Sequence, residues 1–351
     1  MWLIIESLDV WMFRDGKPFD SGAGHVANSL FPPTAFTLQG MLRSLAIDRS
    51  GVDWDDYAKR TSPTLTKQIG NPYAHDPADQ LGEFWMRGPY LARRESERGE
   101  IVRYFPLPAD VVLRGERKKQ LHVLRDSSEI DLEDEVPTPP LWLAEGKFAT
   151  LYKGGGQFSP NDCLREDDLF VREQRFGNAI DASTRTVRAD EGMLYSASFI
   201  RPCGGIGLLV EVPGSEPWSI IFPEIGSMEV SKLGGEGRSA RIERVDPPAN
   251  MLPKDLVGAS KLILLTPAYF MQGVPSISGI TARAVPRPSA FGGWDLVKRR
   301  PRPIRRYAPP GSVFTADNGI DLPELLTEQP AGELPLTTLG FGEYLRLSTN
   351  L

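Results

Sequence analysis

The chain has 351 residues, 40 Lys and Arg against 46 Asp and Glu for a net charge of −6, with 40% hydrophobic and 9% aromatic residues. That length favours two modest domains, and the composition is that of a packed globular protein rather than a disordered chain. The acidic balance argues against a broad nucleic-acid surface, because neutralising backbone phosphates takes clustered cations, so any such surface must be local.

Residues 1–13 (MWLIIESLDVWMF) are a branched and aromatic run that predicts a buried strand, closed by a tight basic turn at Arg14, Asp15, Gly16, Lys17 and Pro18. Glu6 and Asp9 interrupt the run too early for a secretory segment, so the chain is expected to stay in the cytoplasm. His25 follows in the loop SGAGHVANSL. After Pro32-Pro33-Thr34, apolar residues at Phe36, Leu38, Met41, Leu42 and Leu45 predict a capped helix.

From residue 51 to residue 160 the chain is rich in Pro, Gly and charge, and only short strands such as Ile101–Leu107 and Asp110–Leu113 stand out. Within it, Asp126 to Glu135 (DSSEIDLEDE) predicts an acidic face turned to solvent or to a partner, and Gly154-Gly155-Gly156 predicts a flexible loop. Phe170 to Tyr195 is polar and carries arginines between apolar ends, which predicts a protruding hairpin or loop whose length points to function.

A second unit is expected from residue 191, with strands at Leu194–Arg201 and Gly207–Val212 and a helix near Glu224–Leu233 stopped by Gly234-Gly235. Strands at Lys261–Thr266 and near Leu339–Leu347 complete it. The pattern predicts an α+β chain of two ferredoxin-like (split βαβ) domains with long insertions, residues 1–190 and 191–351. Between the last strands charge segregates: Arg283, Arg287, Lys298, Arg299, Arg300, Arg302, Arg305 and Arg306 stand against the single acid Asp295.

Gly234-Gly235-Glu236-Gly237-Arg238 sets three glycines beside a cation, which lets backbone approach phosphates or bases closely. The spacing is not that of a phosphate-binding Walker loop. Gly292-Gly293-Trp294 precedes KRRPRPIRR, and an indole beside guanidinium groups can stack on unpaired bases while the arginines follow the backbone. A turn and a core tryptophan are the bland readings of these two segments.

An enzyme needs a nucleophile, a base or a metal. The only histidines are His25, His75 and His122, none in a metal-ligand spacing, while Asp55-Asp56 and Asp167-Asp168 read as solvated acids. Cys163 and Cys203 read as reduced, structural thiols. No catalytic residue, metal or cofactor is therefore expected.

Several segments resemble one family, in order along the chain. WLIIESLDVWMFRDGKPF and SLFPPTAFTLQGMLRSL are the most specific, followed by TRTVRADEGMLYSASFIRP, LGGEGRSARIE, LLTPAYF, GGWDL and PPGSVF. They resemble the third-subunit family of the Cmr (type III-B CRISPR) effector complex, within the RAMP superfamily of CRISPR RNA-binding proteins. The resemblance implies a double ferredoxin-like protein without nuclease activity that anchors the 5′ handle of the guide RNA for antiviral defence. It also implies docking on the large polymerase-like subunit, with a backbone RAMP subunit as neighbour along the RNA. By position, Arg14 to Lys17 would form the turn near the RNA, and Gly234, Gly235, Gly237 and Arg238 the loop against the handle. Arg175, Arg185 and Arg188 would line a thumb near the first base pairs of guide and target RNA. His25, Arg43, Trp294, Lys298, Arg299 and Arg300 complete the candidate RNA contacts. Two other readings stay open: a metal-independent endoribonuclease that processes precursor guide RNA with His25 as base, and a protein scaffold that never touches RNA.

Overall fold

The computed structural model describes residues 1–14, 26–95, 99–115, 120–124, 127–131, 133–137, 140–153, 158–178, 183–186, 194–252, 260–271, 273, 280–295, 299–316, 328, 330 and 334–347. The opening apolar run is a strand only over Trp2–Ser7. Its side chains alternate, Leu3 and Ile5 into one core and Trp2 and Ile4 into another, so both faces are buried and no polar alternation shows in the sequence.

This strand lies inside a seven-stranded sheet ordered Met228–Lys232, Ser239–Val245, Trp2–Ser7, Ile206–Glu211, Arg87–Arg94, Ile101–Pro106, Trp142–Ala144. Every pairing in it is antiparallel. Four of its strands, Trp2–Ser7, Arg87–Arg94, Ile206–Glu211 and Ser239–Val245, lie side by side in the order fourth, first, third, second. The long helix Ala35–Ser50 falls between the first and second of these strands, and the short helix Trp218–Ile221 between the third and fourth. Both pack on the Leu3 and Ile5 face.

The opposite face meets a second, four-stranded sheet ordered Ile280–Ala284, Val313–Ala316, Lys261–Leu264, Tyr344–Leu347. Numbered along the chain, these strands again read fourth, first, third, second from one edge, all antiparallel. Ile263, Val313, Leu345 and Leu347 pack with Trp2, Ile4 and Leu209 in one core, which joins the two sheets face to face.

Several expectations need correction. The division after residue 190 does not follow the sheets, because Ile206–Glu211 and Ser239–Val245 flank Trp2–Ser7 in the first one. The expected helix over Glu224–Leu233 is instead the strand Met228–Lys232, an edge strand that leaves Met228 and Val230 exposed. Thr34 at the start of the long helix makes no side-chain capping bond, whereas the helix stops at Gly51, whose φ of 72 is the left-handed conformation that ends helices. The acidic stretch is not wholly solvated either: Asp134 receives two bonds of 2.7 Å from Arg114, which hold its carboxyl down at about 2.

Residues 95–205 form a long insertion between two neighbouring strands of the first sheet, Arg87–Arg94 and Ile206–Glu211. It contributes two further strands to that sheet, the pair Val111–Arg114 and Gln120–Val123, and a long hairpin of Phe170–Asn178 with Leu194–Pro202. Gly154-Gly155-Gly156 lies outside the described residues.

Candidate nucleic-acid interface

The hairpin pairs Phe170 with Pro202 through to Asn178 with Leu194 without a register shift. The chain leaving the opening strand runs against it: Trp11 and Ile200 exchange two backbone bonds of 2.8 Å, and Val26–Ala27 pairs in parallel with Ser196–Ala197. Val10, Met12, Ala27, Ala197 and Phe199 form a small core at this junction. The Ser29 hydroxyl accepts from the Phe13 N–H at 3.2 Å and donates to the Ser198 carbonyl at 2.5 Å, while Arg172 donates to the Ser29 carbonyl at 2.8 Å. Arg14, bridged to Ser29, therefore sits at the base of the hairpin.

The glycine-rich loop reaches the same place. It is the turn between Met228–Lys232 and Ser239–Val245, closed by a 2.8 Å bond from the Leu233 N–H to the Arg238 carbonyl. The Gly235 N–H donates to the Met12 carbonyl at 2.8 Å. A Cβ on Gly234, whose φ is +82, would stand 2.5 Å from that carbonyl oxygen and 3.1 Å from the Phe13 ring, so this glycine is required for the close approach. Gly234→Ala is expected to cost about 1–2 kcal/mol, since left-handed backbone alone penalises a side chain by that amount. Urea unfolding checks it, and an unchanged midpoint would show that the loop is not held against Met12. Gly237, with a φ of +63, has nothing within 4 Å of its Cβ direction and faces open space.

Arg238 and Arg175 both stand over the Phe199 ring, at 5.0 and 4.7 Å from its centroid. Their charges join one chain of ion pairs: Arg238 to Asp9 at 3.4 Å, Asp9 to Arg201 at 3.1 Å, Arg201 to Glu173, and Glu173 to Arg175 at 3.0 Å. Hydrogen bonds from Arg201 and Arg175 hold the Glu173 carboxyl below its usual range, and Glu173 raises Arg201 in return. Three guanidinium groups are thus fixed by two carboxylates, leaving the cluster one positive charge in excess.

Of the expected contacts, Arg14, Arg175, Gly234, Gly235, Gly237 and Arg238 come together at the hairpin base. Arg185 is exposed between the two strands of the hairpin, with a φ of 56. Lys17, His25, Arg188 and Lys298 lie outside the described residues. Trp294, Arg299 and Arg300 belong to a second place, a short hairpin pairing Trp294 with Pro301 and Asp295 with Arg300. There Trp294 is 57% exposed, so it is not a core residue. This hairpin stands on a buried aromatic stack in which the Phe291 and Tyr307 rings lie 4.0 Å apart and 4° from parallel. Arg302 leans over Phe36 of the long helix at 5.0 Å.

Arg43 is no surface contact. It lies on the buried arc of the long helix, 6% exposed, with its guanidinium 5.0 Å from the Phe84 ring, and burial lowers its pKa to about 10. Asp9, Glu173, Phe199 and Arg201 were not foreseeable from spacing, since the register of the hairpin brings the last three together and the Trp11–Ile200 bridge carries Asp9 to them.

Among the described residues no group of three or more His, Cys, Asp or Glu side chains could hold a metal ion, and no helix is long and apolar enough to cross a membrane. The Asp168 carboxylate accepts the Arg165 N–H at 2.7 Å, a local turn contact. Cys163 and Cys203 are free, and burial pushes the Cys163 thiol up to about 11.

A comparison of the sequence with curated proteins gives no match. The solved structures similar in fold include two of one complex. One is the cryo-EM structure of the type III-B Cmr-beta bound to cognate target RNA and AMPPnP, with a TM-score of 0.53 and 18% identity, covering 90% of this chain and 86% of the other. The second is the type III-B Cmr-beta bound to cognate target RNA, with a TM-score of 0.52 and the same identity and coverage. The model of one protein family, described as CRISPR-associated protein (Cas_Cmr3), matches residues 3–349. With nearly the whole length matched, the chain belongs to the CRISPR-associated protein (Cas_Cmr3) family.

Proposed function

We propose that this chain is a non-catalytic subunit of a type III-B Cmr effector complex that anchors the 5′ handle of the guide RNA in antiviral defence. In this role it docks on the large polymerase-like subunit beside a backbone RAMP subunit, with its hairpin near the first base pairs of guide and target RNA. The repeated strand order of the two sheets, with helices on one face of the first, supports reading both as split βαβ, ferredoxin-like units of the RAMP kind. The units then run from Trp2 to Val245 and from Lys261 to Leu347.

One observation carries the RNA assignment. Arg238 of the glycine-rich turn and Arg175 of the hairpin, distant in sequence, converge on Phe199, and with Arg201 their ion-pair chain leaves a net positive charge there. A small cationic site of this kind also reconciles RNA binding with a net charge of −6.

The test is crosslinking of the assembled, guide-loaded complex with mapping of the attached peptides. Crosslinks from the handle to Gly234–Arg238 or to the hairpin are expected. RNA attached only to other subunits would make this chain a scaffold, and metal-independent cleavage of repeat RNA that His25→Ala abolishes would make it a nuclease. Replacing Arg175 and Arg238 with Ala is expected to flatten the slope of log affinity against log salt by about 1.4, at roughly 0.7 for each lost contact to single-stranded phosphate. Asp9→Asn with Glu173→Gln should act in the opposite sense, since it releases the arginines from their carboxylates. A slope unchanged in both double variants would remove these arginines from the RNA surface.

A further inference from the structure

Side chains of a strand alternate between its faces, so Glu173, Arg175 and Gly177 share one face of the hairpin with Tyr195, Ala197, Phe199 and Arg201 of the paired strand. The Glu173–Arg201 ion pair and the placing of Arg175 over Phe199 both lie on that face. Phe199, 5% exposed, is closed off by the two arginines and the small core.

Further along the same face comes Tyr195, directly opposite Gly177. A Cβ on Gly177 would stand 2.4 Å from Tyr195 Cζ, 2.5 Å from its hydroxyl oxygen and 2.9 Å from Cε1. The ring therefore lies across the bare backbone of Gly177, where any side chain would lift it off. An aromatic ring bedded on a strand glycine is held flat against the sheet. Tyr195 nevertheless remains 38% exposed, and with its inner side backed by Gly177 the exposed side is the outer one.

We propose that Tyr195 is a stacking platform for one unpaired nucleobase of the bound RNA, with Arg175 and its neighbours in the ion-pair chain taking the adjoining phosphates. This deepens the RNA-anchoring role proposed above and rests on it. A flat, fixed ring next to guanidinium groups matches the way single-stranded RNA is held, by base stacking on aromatic faces and phosphate contact to cations. An apolar anchor for a protein partner inserts into a pocket, and here the ring lies flat on the outside of the hairpin instead. Phe176, 74% exposed, points to the opposite face of the hairpin and provides an internal control.

The experiment uses the assembled complex loaded with guide RNAs that carry 2-aminopurine at successive positions of the handle and the first guide nucleotides. One position should be quenched by stacking. Tyr195→Leu and Gly177→Ala should each abolish that quenching and weaken guide retention by about tenfold, while Tyr195→Trp and Phe176→Leu preserve both. Gly177→Ala displaces the ring while leaving the tyrosine itself in place, so agreement between it and Tyr195→Leu separates stacking from misfolding of either variant. Quenching at no position, with handle crosslinks to this subunit retained, overturns the platform and leaves the anchoring role standing. Absence of handle crosslinks in the unaltered complex overturns the anchoring role itself. If Tyr195→Leu lowers subunit incorporation while the quenching per assembled complex persists, the ring is a protein contact and the platform is rejected.

Discussion

Glu145→Ala is expected to destabilise the protein by about 3–4 kcal/mol, because it strands a buried cation. Arg103 donates two bonds of 2.7 Å to the Glu145 carboxylate, and the two side chains are 4% and 1% exposed. Burial raises the Glu145 pKa while Arg103 pulls it back, so the pair depends on its own geometry rather than on solvent. Three rings surround the guanidinium, Tyr90 at 4.6 Å, Phe105 at 5.5 Å and Trp2 at 5.7 Å, and their attraction for the cation keeps the loss towards the lower end of the usual range. The carboxylate also accepts the Leu252 N–H at 3.1 Å, which ties down the chain as it leaves the first sheet. Replacing both partners with Leu should recover most of the stability, since an apolar pair leaves no unpaired charge in the core. Urea unfolding at constant slope measures both variants. A single variant within about 1 kcal/mol of the parent would show that water reaches the pair.

Much of the strand content was legible in the sequence, because Ile206–Glu211 and Lys261–Leu264 are short apolar runs buried on both faces. Arg87–Arg94 was not, since its ends carry arginines that pair with Glu211 and Glu243 across the sheet and hide a strand inside a charged segment. Met228–Lys232 was misread as a helix because an edge strand leaves one side of its residues in water, so exposed Met228 and Val230 mimic no buried alternation. The domain boundary was missed for a topological reason: residues 95–205 separate two strands that lie next to each other, and no local pattern marks such an insertion. At the candidate site, the glycine turn and the hairpin arginines could be picked out singly by composition. Their carboxylate partners Asp9 and Glu173 could not, because an acid on an exposed strand, or in the bend that follows one, looks solvated until the pairing is known. Arg43 shows the converse limit, for the spacing of a helix with apolar residues at Leu42 and Ala46 does not tell a buried arginine from one beside the buried arc.

Lys261→Met should cost about 3–5 kcal/mol and do so chiefly in the second sheet, where the lysine is part of a contact between the two units. Lys261 lies on the strand Lys261–Leu264 and is 2% exposed; its ammonium donates to Asp110 at 2.6 Å and to the Leu124 carbonyl at 2.8 Å, both in the insertion of the first sheet. The Tyr152 hydroxyl donates to the other Asp110 oxygen at 2.5 Å, and burial together with the Asp110 charge raises its pKa well above the usual value, so it keeps its proton for that bond. The Tyr152 ring also carries the ammonium at 5.4 Å from its centroid. Removing the ammonium leaves a buried carboxylate with a single neutral donor, which is the costly half of breaking such a pair. Asp110→Asn added to Lys261→Met removes the stranded charge and should restore a large part of the loss. Hydrogen exchange locates the damage: protection should fall first in Val313–Ala316 and Tyr344–Leu347, the strands paired on either side of Lys261–Leu264. Equal loss in Trp2–Ser7 would mean instead that the core shared by the two sheets opens as one unit, and that the lysine holds the whole molecule rather than its second sheet.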